Sequence, residues 1–259
     1  MLKDLRINPE FEKKRILDFF EKKFIQTGFH QASIAVSGGI DSATSLYLLR
    51  EYFSSDQIFV SHLYYFDKTT DKFKAIINGL GIPEKNIMLS PIKNIVDTIA
   101  TQRNIKNPSN ETERIRLGNI MARVRMILHY DFSREHNALV VGTENRSEYH
   151  LGYFTRFGDE ASDMEPLHHL YKTQVYQLAR ALRVPQEIIE SRPSAGLWES
   201  QTDASELGFT YEEADPVLYL HFDEKKSRQE IQSLGYSKVK EIIDVASRNS
   251  FKHEVPYHL

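Results

Sequence analysis

The chain has 259 residues, 41% of them hydrophobic, enough for a continuous core in one large or two small domains. Its 33 Lys and Arg nearly cancel 36 Asp and Glu, which excludes a chain-wide basic field of the kind that holds nucleic acid non-specifically. The absence of cysteine excludes disulfides, thiolate zinc sites and cysteine nucleophiles, so any metal has to be held by oxygen or imidazole.

The first residues, Met1 to Asn8, are charged rather than apolar, and no stretch approaches the roughly 20 apolar residues of a membrane span. A soluble cytoplasmic protein with no membrane partner is the expectation. From Pro9 to Gly28, Phe11, Ile16, Phe19, Phe20 and Phe24 recur at helical spacing, with Gly28 as the stop. Three β-rich runs follow, Ala32 to Val36, Gln57 to Tyr64 and Asn86 to Ser90, each succeeded by a helical pattern, the first over Thr44 to Tyr52. That alternation predicts βαβ crossovers and a parallel sheet. A long helix over Glu111 to Arg134 leads to a fourth strand, Ala138 to Gly142, whose Leu-Val-Val core reads as buried on both faces. Beyond it come loops and short helices, with amphipathic stretches at Lys172 to Arg183 and Ser237 to Arg248. Ser191 to Gly208 carries Pro, Ser, Gly and Thr but also Trp198, and reads as an ordered functional loop. The fold class is α/β, an open parallel sheet flanked by helices with a mainly helical C-terminal part, in a single domain over 1–259.

The most informative residues are Ser37-Gly38-Gly39-Ile40-Asp41-Ser42-Ala43, between the first strand and the first helix of the sheet. In an open parallel sheet, ligands sit beyond the carboxyl ends of strands, and the free N–H groups of a helix start attract an anion. Two glycines let the backbone approach phosphate oxygens, and Ser37 and Ser42 add hydroxyl donors. Asp41 would repel phosphate unless a cation lay between, which points to magnesium. The competing explanation is a tight turn followed by a helix capped by Asp41 or Ser42. No Gly-Lys pair occurs anywhere in the chain, which argues against the common loop of γ-phosphate transfer.

The heptapeptide resembles the signature of the ATP pyrophosphatase superfamily, which cleaves ATP between its α and β phosphates to adenylate a substrate. Further segments narrow the resemblance to ammonia-dependent NAD synthetases: Gly118-Asn119-Ile120 with Ala122-Arg123-Val124-Arg125-Met126, Val141-Gly142-Thr143, Asn145 to Glu148, Leu151-Gly152-Tyr153-Phe154-Thr155 and Phe157-Gly158-Asp159. It continues through Leu170-Tyr171-Lys172-Thr173, Pro193-Ser194-Ala195-Gly196-Leu197-Trp198, Gln201-Thr202-Asp203 and Glu206-Leu207-Gly208, and spans roughly residues 10 to 256. It implies a Rossmann-like, adenine nucleotide alpha hydrolase-like fold. The implied activity is amidation of deamido-NAD with ammonia, giving NAD, AMP and pyrophosphate through an adenylated carboxylate, with ATP as co-substrate and Mg2+ as cofactor.

The same resemblance assigns residues. ATP would be cradled by Ala35, Val36, Ser37, Gly38, Gly39, Ile40, Asp41 and Ser42, with Thr143, Lys172 and Thr202 completing the site. Asp41 and Glu148, with Thr202 nearby, would hold magnesium, while the plain alternatives are a helix cap for Asp41 and a solvated acid for Glu148. Deamido-NAD would meet Arg123, Arg156, Asp163, Lys172 and Lys252, and Asp41, Lys172 and Asp163 would carry catalysis, with Asp163 orienting or deprotonating ammonium. On the long helix, Leu117, Ile120, Met121, Val124 and Leu128 form an apolar stripe flanked by Arg116 and Arg123, while simple solvation explains Arg114 and Arg125 equally well.

Departures from the family pattern are Arg156 in place of Lys, Phe251 in place of His, Met121 in place of a polar residue, and an acidic Asp159-Glu160-Ala161-Ser162 loop in place of a glycine-rich one. Tyr65 to Lys72 does not match the family's adenine-side segment and stays unassigned, and the adjacent His168 and His169 read as structural. The resemblance further implies a homodimer. Direct use of ammonia is expected, because the chain has neither the length nor the cysteine of a glutaminase domain. The rival enzyme reading is another ATP pyrophosphatase-type ligase, such as a GMP synthetase or a tRNA-modifying enzyme, and the rival of another class is a non-catalytic nucleotide-binding protein.

Overall fold

Asn8 opens the first helix by accepting the Phe11 N–H at its side chain, and Gly28 closes it in the left-handed region at φ 73°. Between them α1 (Pro9–Thr27) buries Ile16, Phe20 and Phe24, as the spacing predicts. The computed structural model describes residues 3–67, 69–105, 110–194, 196–198, 201–254 and 257.

After α1 come β1 (Ala32–Ala35), α2 (Ile40–Tyr52), β2 (Ile58–Tyr64), α3 (Thr69–Ile77), β3 (Ile87–Pro91), α4 (Lys93–Gln102), α5 (Glu111–Glu135) and β4 (Leu139–Val141). Among the described residues these strands form one parallel sheet in the order β3-β2-β1-β4, with Ile34 opposite both Val60 and Val141. The alternation of side chains along a strand splits the two faces. Ala32, Ile34, Ile58 and Val60 pack with residues of α1 and α2 into the main core. The opposite parity meets α5: Leu63 clusters with Val96, Met121 and Val124, and Phe59 with Phe132. On that face His129 of α5 is wedged between two strands, its Nδ1 2.8 Å from Ser61 Oγ and its Nε2 3.4 Å from Ser33 Oγ. Burial pushes this imidazole down to about 4.

Beyond β4 run α6 (Arg146–Leu151), α7 (Lys172–Ala181), α8 (Gln186–Ile189), α9 (Asp203–Leu207), α10 (Tyr211–Leu218), α11 (Arg228–Ser233) and α12 (Val239–Asn249). Val175 and Leu178 of α7 rejoin the main core. Leu151, Tyr211, Val217, Leu218, Ile231, Ile242 and Ile243 build a second core that holds α6, α10, α11 and α12 together.

Two expectations change in detail. The helix after β1 starts at Ile40, not Thr44, because Gly39 is its extended N-cap and Asp41 and Ser42 occupy its first turn. Polar residues that look like loop in sequence are the normal occupants of a helix start. Arg125 is not a solvated cation: it is partly buried, and its Nε donates to the Leu63 carbonyl at the carboxyl end of β2.

Candidate active site

The carboxyl ends of β1 and β4 lie side by side, so the turns at 36–39 and 142–145 face the same space. In the first turn Gly38 adopts φ 98°, a conformation a side chain resists. Serine hydroxyls hold this turn closed: Ser42 Oγ accepts the Ser37 N–H at 3.2 Å and donates to the Gly39 carbonyl at 3.0 Å, while Ser37 Oγ accepts the Gly39 N–H at 3.2 Å. Asp41 sits in the first turn of α2, where the positive end of the helix dipole favours a carboxylate.

Three residues from three helices then meet. Lys172, the first residue of α7, is fully enclosed and places its ammonium 2.5 Å from Asp41 Oδ2 and 2.9 Å from Glu148 Oε1. Asn145 caps α6 by accepting the Ser147 and Glu148 N–H groups, and its side-chain amide donates to Asp41 Oδ1 at 3.0 Å. Burial opposes the charge on Lys172, yet Asp41, Glu148 and Asp203 together hold its ammonium well above the usual range. Burial likewise pushes the Glu148 carboxyl up, against the pull of Lys172. Asp203 stands behind this group, accepting Tyr211 Oη–H at 3.0 Å and Tyr153 Oη–H at 3.2 Å.

The donor set suits a hard divalent cation. Asp41 and Glu148 both reach the Lys172 ammonium, and a pair of carboxylates is the oxygen set through which magnesium is held beside a substrate phosphate, although among the described residues no group of three or more His, Asp or Glu side chains is set to hold an ion. Asp41 and Glu148 are therefore brought together as the sequence suggests, and neither is a merely solvated acid. Thr202 is the N-cap of α9 and accepts the Ser205 N–H; among the described contacts nothing joins it to Asp41 or Glu148. Thr143 follows β4 at the same end of the sheet. Ala195, from the motif before Trp198, and Lys68, from the unassigned adenine-side segment, lie outside the described residues.

The proposed dinucleotide residues form a second group. Arg123 Nε donates to the Arg156 carbonyl at 3.2 Å, and the Arg156 guanidinium lies 5.3 Å from the centre of the Phe251 ring. Lys252 Nζ donates to the carbonyls of Gly152 and Phe154, at 2.6 and 2.7 Å, and so pins the loop leaving α6; burial lowers its pKa. Among the described contacts Asp163 joins neither group; its Oδ2 accepts the Val140 N–H at 2.8 Å. The acidic residues that do crowd this region are ones the sequence did not single out. Glu165 accepts the Glu144 N–H and the Ser162 hydroxyl, and Glu144 Oε1 is buried without a hydrogen-bond partner among the described residues. Burial first, and neighbouring carboxylates second, push Glu144 up to about 9; burial pushes Glu165 up to about 8. His168 packs edge-on against Tyr149 and His169 bonds Glu12, which fits their structural reading.

Asn145, Asp203, Glu144 and Glu165 are the participants that sequence reasoning left without roles. Only Asn145 carried a readable signal, since Asn145 with Glu148 three residues on is the pattern of a capping box.

Comparison with known proteins identifies relatives of the whole chain. Residues 12–256 match the family model described as NAD synthase. The chain is 38% identical over 257 residues to the NH(3)-dependent NAD(+) synthetase of Fusobacterium nucleatum, covering 97% of this chain and 96% of that protein. It is 43% identical over 227 residues to the protein of the same description from Pyrococcus furiosus, covering 87% and 84%. Among solved structures it resembles an NMN synthetase from Francisella tularensis, at TM-score 0.82, 27% identity and 98% and 99% coverage. It also resembles an NH3-dependent NAD synthetase from Campylobacter jejuni in complex with the nitrate ion, at TM-score 0.78, 26% identity and 98% and 100% coverage.

Proposed function

Because this chain belongs to the NAD synthase family, we propose that it joins ammonia to the nicotinate carboxylate of deamido-NAD, consuming ATP and releasing NAD, AMP and pyrophosphate. It is a carbon–nitrogen ligase. The observation that carries the chemistry is the convergence of Asp41, Glu148 and Lys172 beside the Gly38 turn. Another ATP pyrophosphatase-type ligase is disfavoured by the match to one family over nearly the whole chain.

In this reading the N–H groups of the 36–39 turn and of the start of α2 take the phosphates of ATP, with Thr143 and Thr202 at the rim of the site. Asp41 and Glu148 would hold magnesium, which screens the phosphate charge when bound. The nicotinate carboxylate attacks the α-phosphorus, the α–β bond breaks, and pyrophosphate leaves beside Lys172. Ammonia then adds to the acyl adenylate and AMP departs with the electron pair. No enzyme nucleophile is required, so rate comes from positioning and from the Lys172 charge. Arg123, Arg156 and Lys252 would border the dinucleotide. Asp163 remains the family-matched residue for ammonium, although its carboxylate is engaged by Val140. Among the described residues no helix is long and apolar enough to cross a membrane, consistent with the cytoplasmic location we propose. We also propose one domain over 1–259 and a homodimer, by family resemblance.

The deciding experiment incubates the protein with ATP, magnesium, ammonium and deamido-NAD, with nicotinate mononucleotide as a parallel acid. NAD, AMP and pyrophosphate are expected. ADP with orthophosphate would refute the bond cleavage, and preference for the mononucleotide would move the substrate toward that of an NMN synthetase.

A further inference from the structure

We propose that Asp215 is a positioning residue for Lys172, acting from the C-terminal core through Ser147 and the start of α7. This rests on the ATP-binding reading of the site. Asp215 lies in α10 and is wholly buried, as is Ser147. Its Oδ1 accepts the Ser147 hydroxyl at 2.6 Å, and its Oδ2 accepts the Thr173 N–H at 2.8 Å. Ser147 Oγ in turn accepts the Lys172 N–H at 2.8 Å. One carboxylate thus fastens the first turns of two helices, α6 carrying Glu148 and α7 carrying Lys172.

A carboxylate this deep, with no cation at hydrogen-bonding distance among the described residues, is costly, so its neutral partners have to offset its burial. Burial pushes Asp215 up to about 6, and the bonds from Ser147 and Thr173 oppose that. The Thr173 bond to Asp215 and the Lys172 bond to Ser147 fall on the orphan N–H groups of a helix start, where no side chain of the N-cap Tyr171 reaches them. Negative charge there also complements the α7 dipole. The outcome is rotational: fixing the Lys172 and Thr173 amides sets the phase of α7, and that phase aims the Lys172 stem at the gap between Asp41 and Glu148. Asp215→Asn keeps the volume but replaces one acceptor by an NH2, so either the Thr173 N–H or the Ser147 hydroxyl would face a donor and the start of α7 would lose one of its two fastenings.

Two readouts on the full chain decide this. The first is the 1H–15N resonance of the Lys172 ammonium, assigned by its loss in Lys172→Met. It should shift or broaden in both Asp215→Asn and Ser147→Ala. The second is a double-mutant cycle on magnesium-ATP affinity and on turnover. Asp215→Asn alone should lose about 10–100-fold, the usual range for a residue supporting a site residue. In the Lys172→Met background it should lose nothing further in affinity. Losses that multiply, or a resonance unmoved in both variants, would overturn the proposal. If melting curves show that Asp215→Asn does not fold, Ser147→Ala carries the same cycle. The resonance needs no ligand, so a protein that made no NAD would sink the proposed function while leaving this inference decidable.

Discussion

Lys172 is the internal counter-ion of two carboxylates that would otherwise be stranded in a buried site. Removing one partner of such a group costs about 3–5 kcal/mol, because the others keep their charge without compensation. Lys172→Met should therefore lower the melting temperature, and millimolar magnesium should restore part of it, since Asp41 and Glu148 then have a replacement cation. Thermal denaturation with and without MgCl2 checks both. The Glu144 and Glu165 pair makes a pH statement. Their folded pKa values, about 9 and about 8, lie above the ordinary 4.5, so between those limits the folded chain keeps protons that the unfolded chain has released. Stability should then decline as pH rises through that window. Glu144→Gln should flatten the decline and raise the melting temperature at pH 8 by a few degrees, at roughly 2–4 °C per kcal/mol. At this scale Asp41, Glu148 and Lys172 were legible because each sits in a motif. Glu144 and Asp215 were not, because their importance comes from burial against partners tens of residues away, and Asp203, though inside a quoted motif, showed nothing of its role.

The turn between β1 and α2 depends on one backbone conformation. Gly38→Ala would place a side chain at φ 98°, at a cost of about 1–2 kcal/mol, and would tilt the N–H groups that face the nucleotide. The expected result is a nearly normal fold with weakened ATP binding, read by calorimetry beside a far-ultraviolet spectrum. At Gly142, on the neighbouring strand end, an added Cβ would stand 1.8 Å from Glu165 Oε1, so the Glu165 carboxylate would have to move aside. Elements were the most legible level: α1, β2 and α5 fall within a residue or two of their expected bounds, because period and caps agree there. The start of α2 was missed because its polar first turn has no apolar period. α10 was missed because much of its apolar face serves a core made of distant short helices.

Among the described residues the main core and the C-terminal cluster meet at the site: α7 packs with the sheet, while α6 and α10 belong to the C-terminal cluster. The dimer reading predicts a solution mass near twice 30.1 kDa, measurable by light scattering. The parallel sheet was readable from its alternation of strand and helix, whereas the way the C-terminal helices fold back onto α6 is set by long-range packing that no local pattern announces. His129, wedged beneath β1 and β2, adds a boundary on the acid side. Its folded pKa of about 4 lies below the usual 6.5, so the unfolded chain takes up a proton first as pH falls through that interval. Acidification should thus prise α5 from the sheet, seen as faster amide exchange in Met121 to Phe132, whereas alkali attacks through the glutamates near β4. The two proton sinks oppose each other only between about 4.5 and 6.5, and above that interval the glutamates act alone, which sets the most resilient pH on the acid side of neutrality.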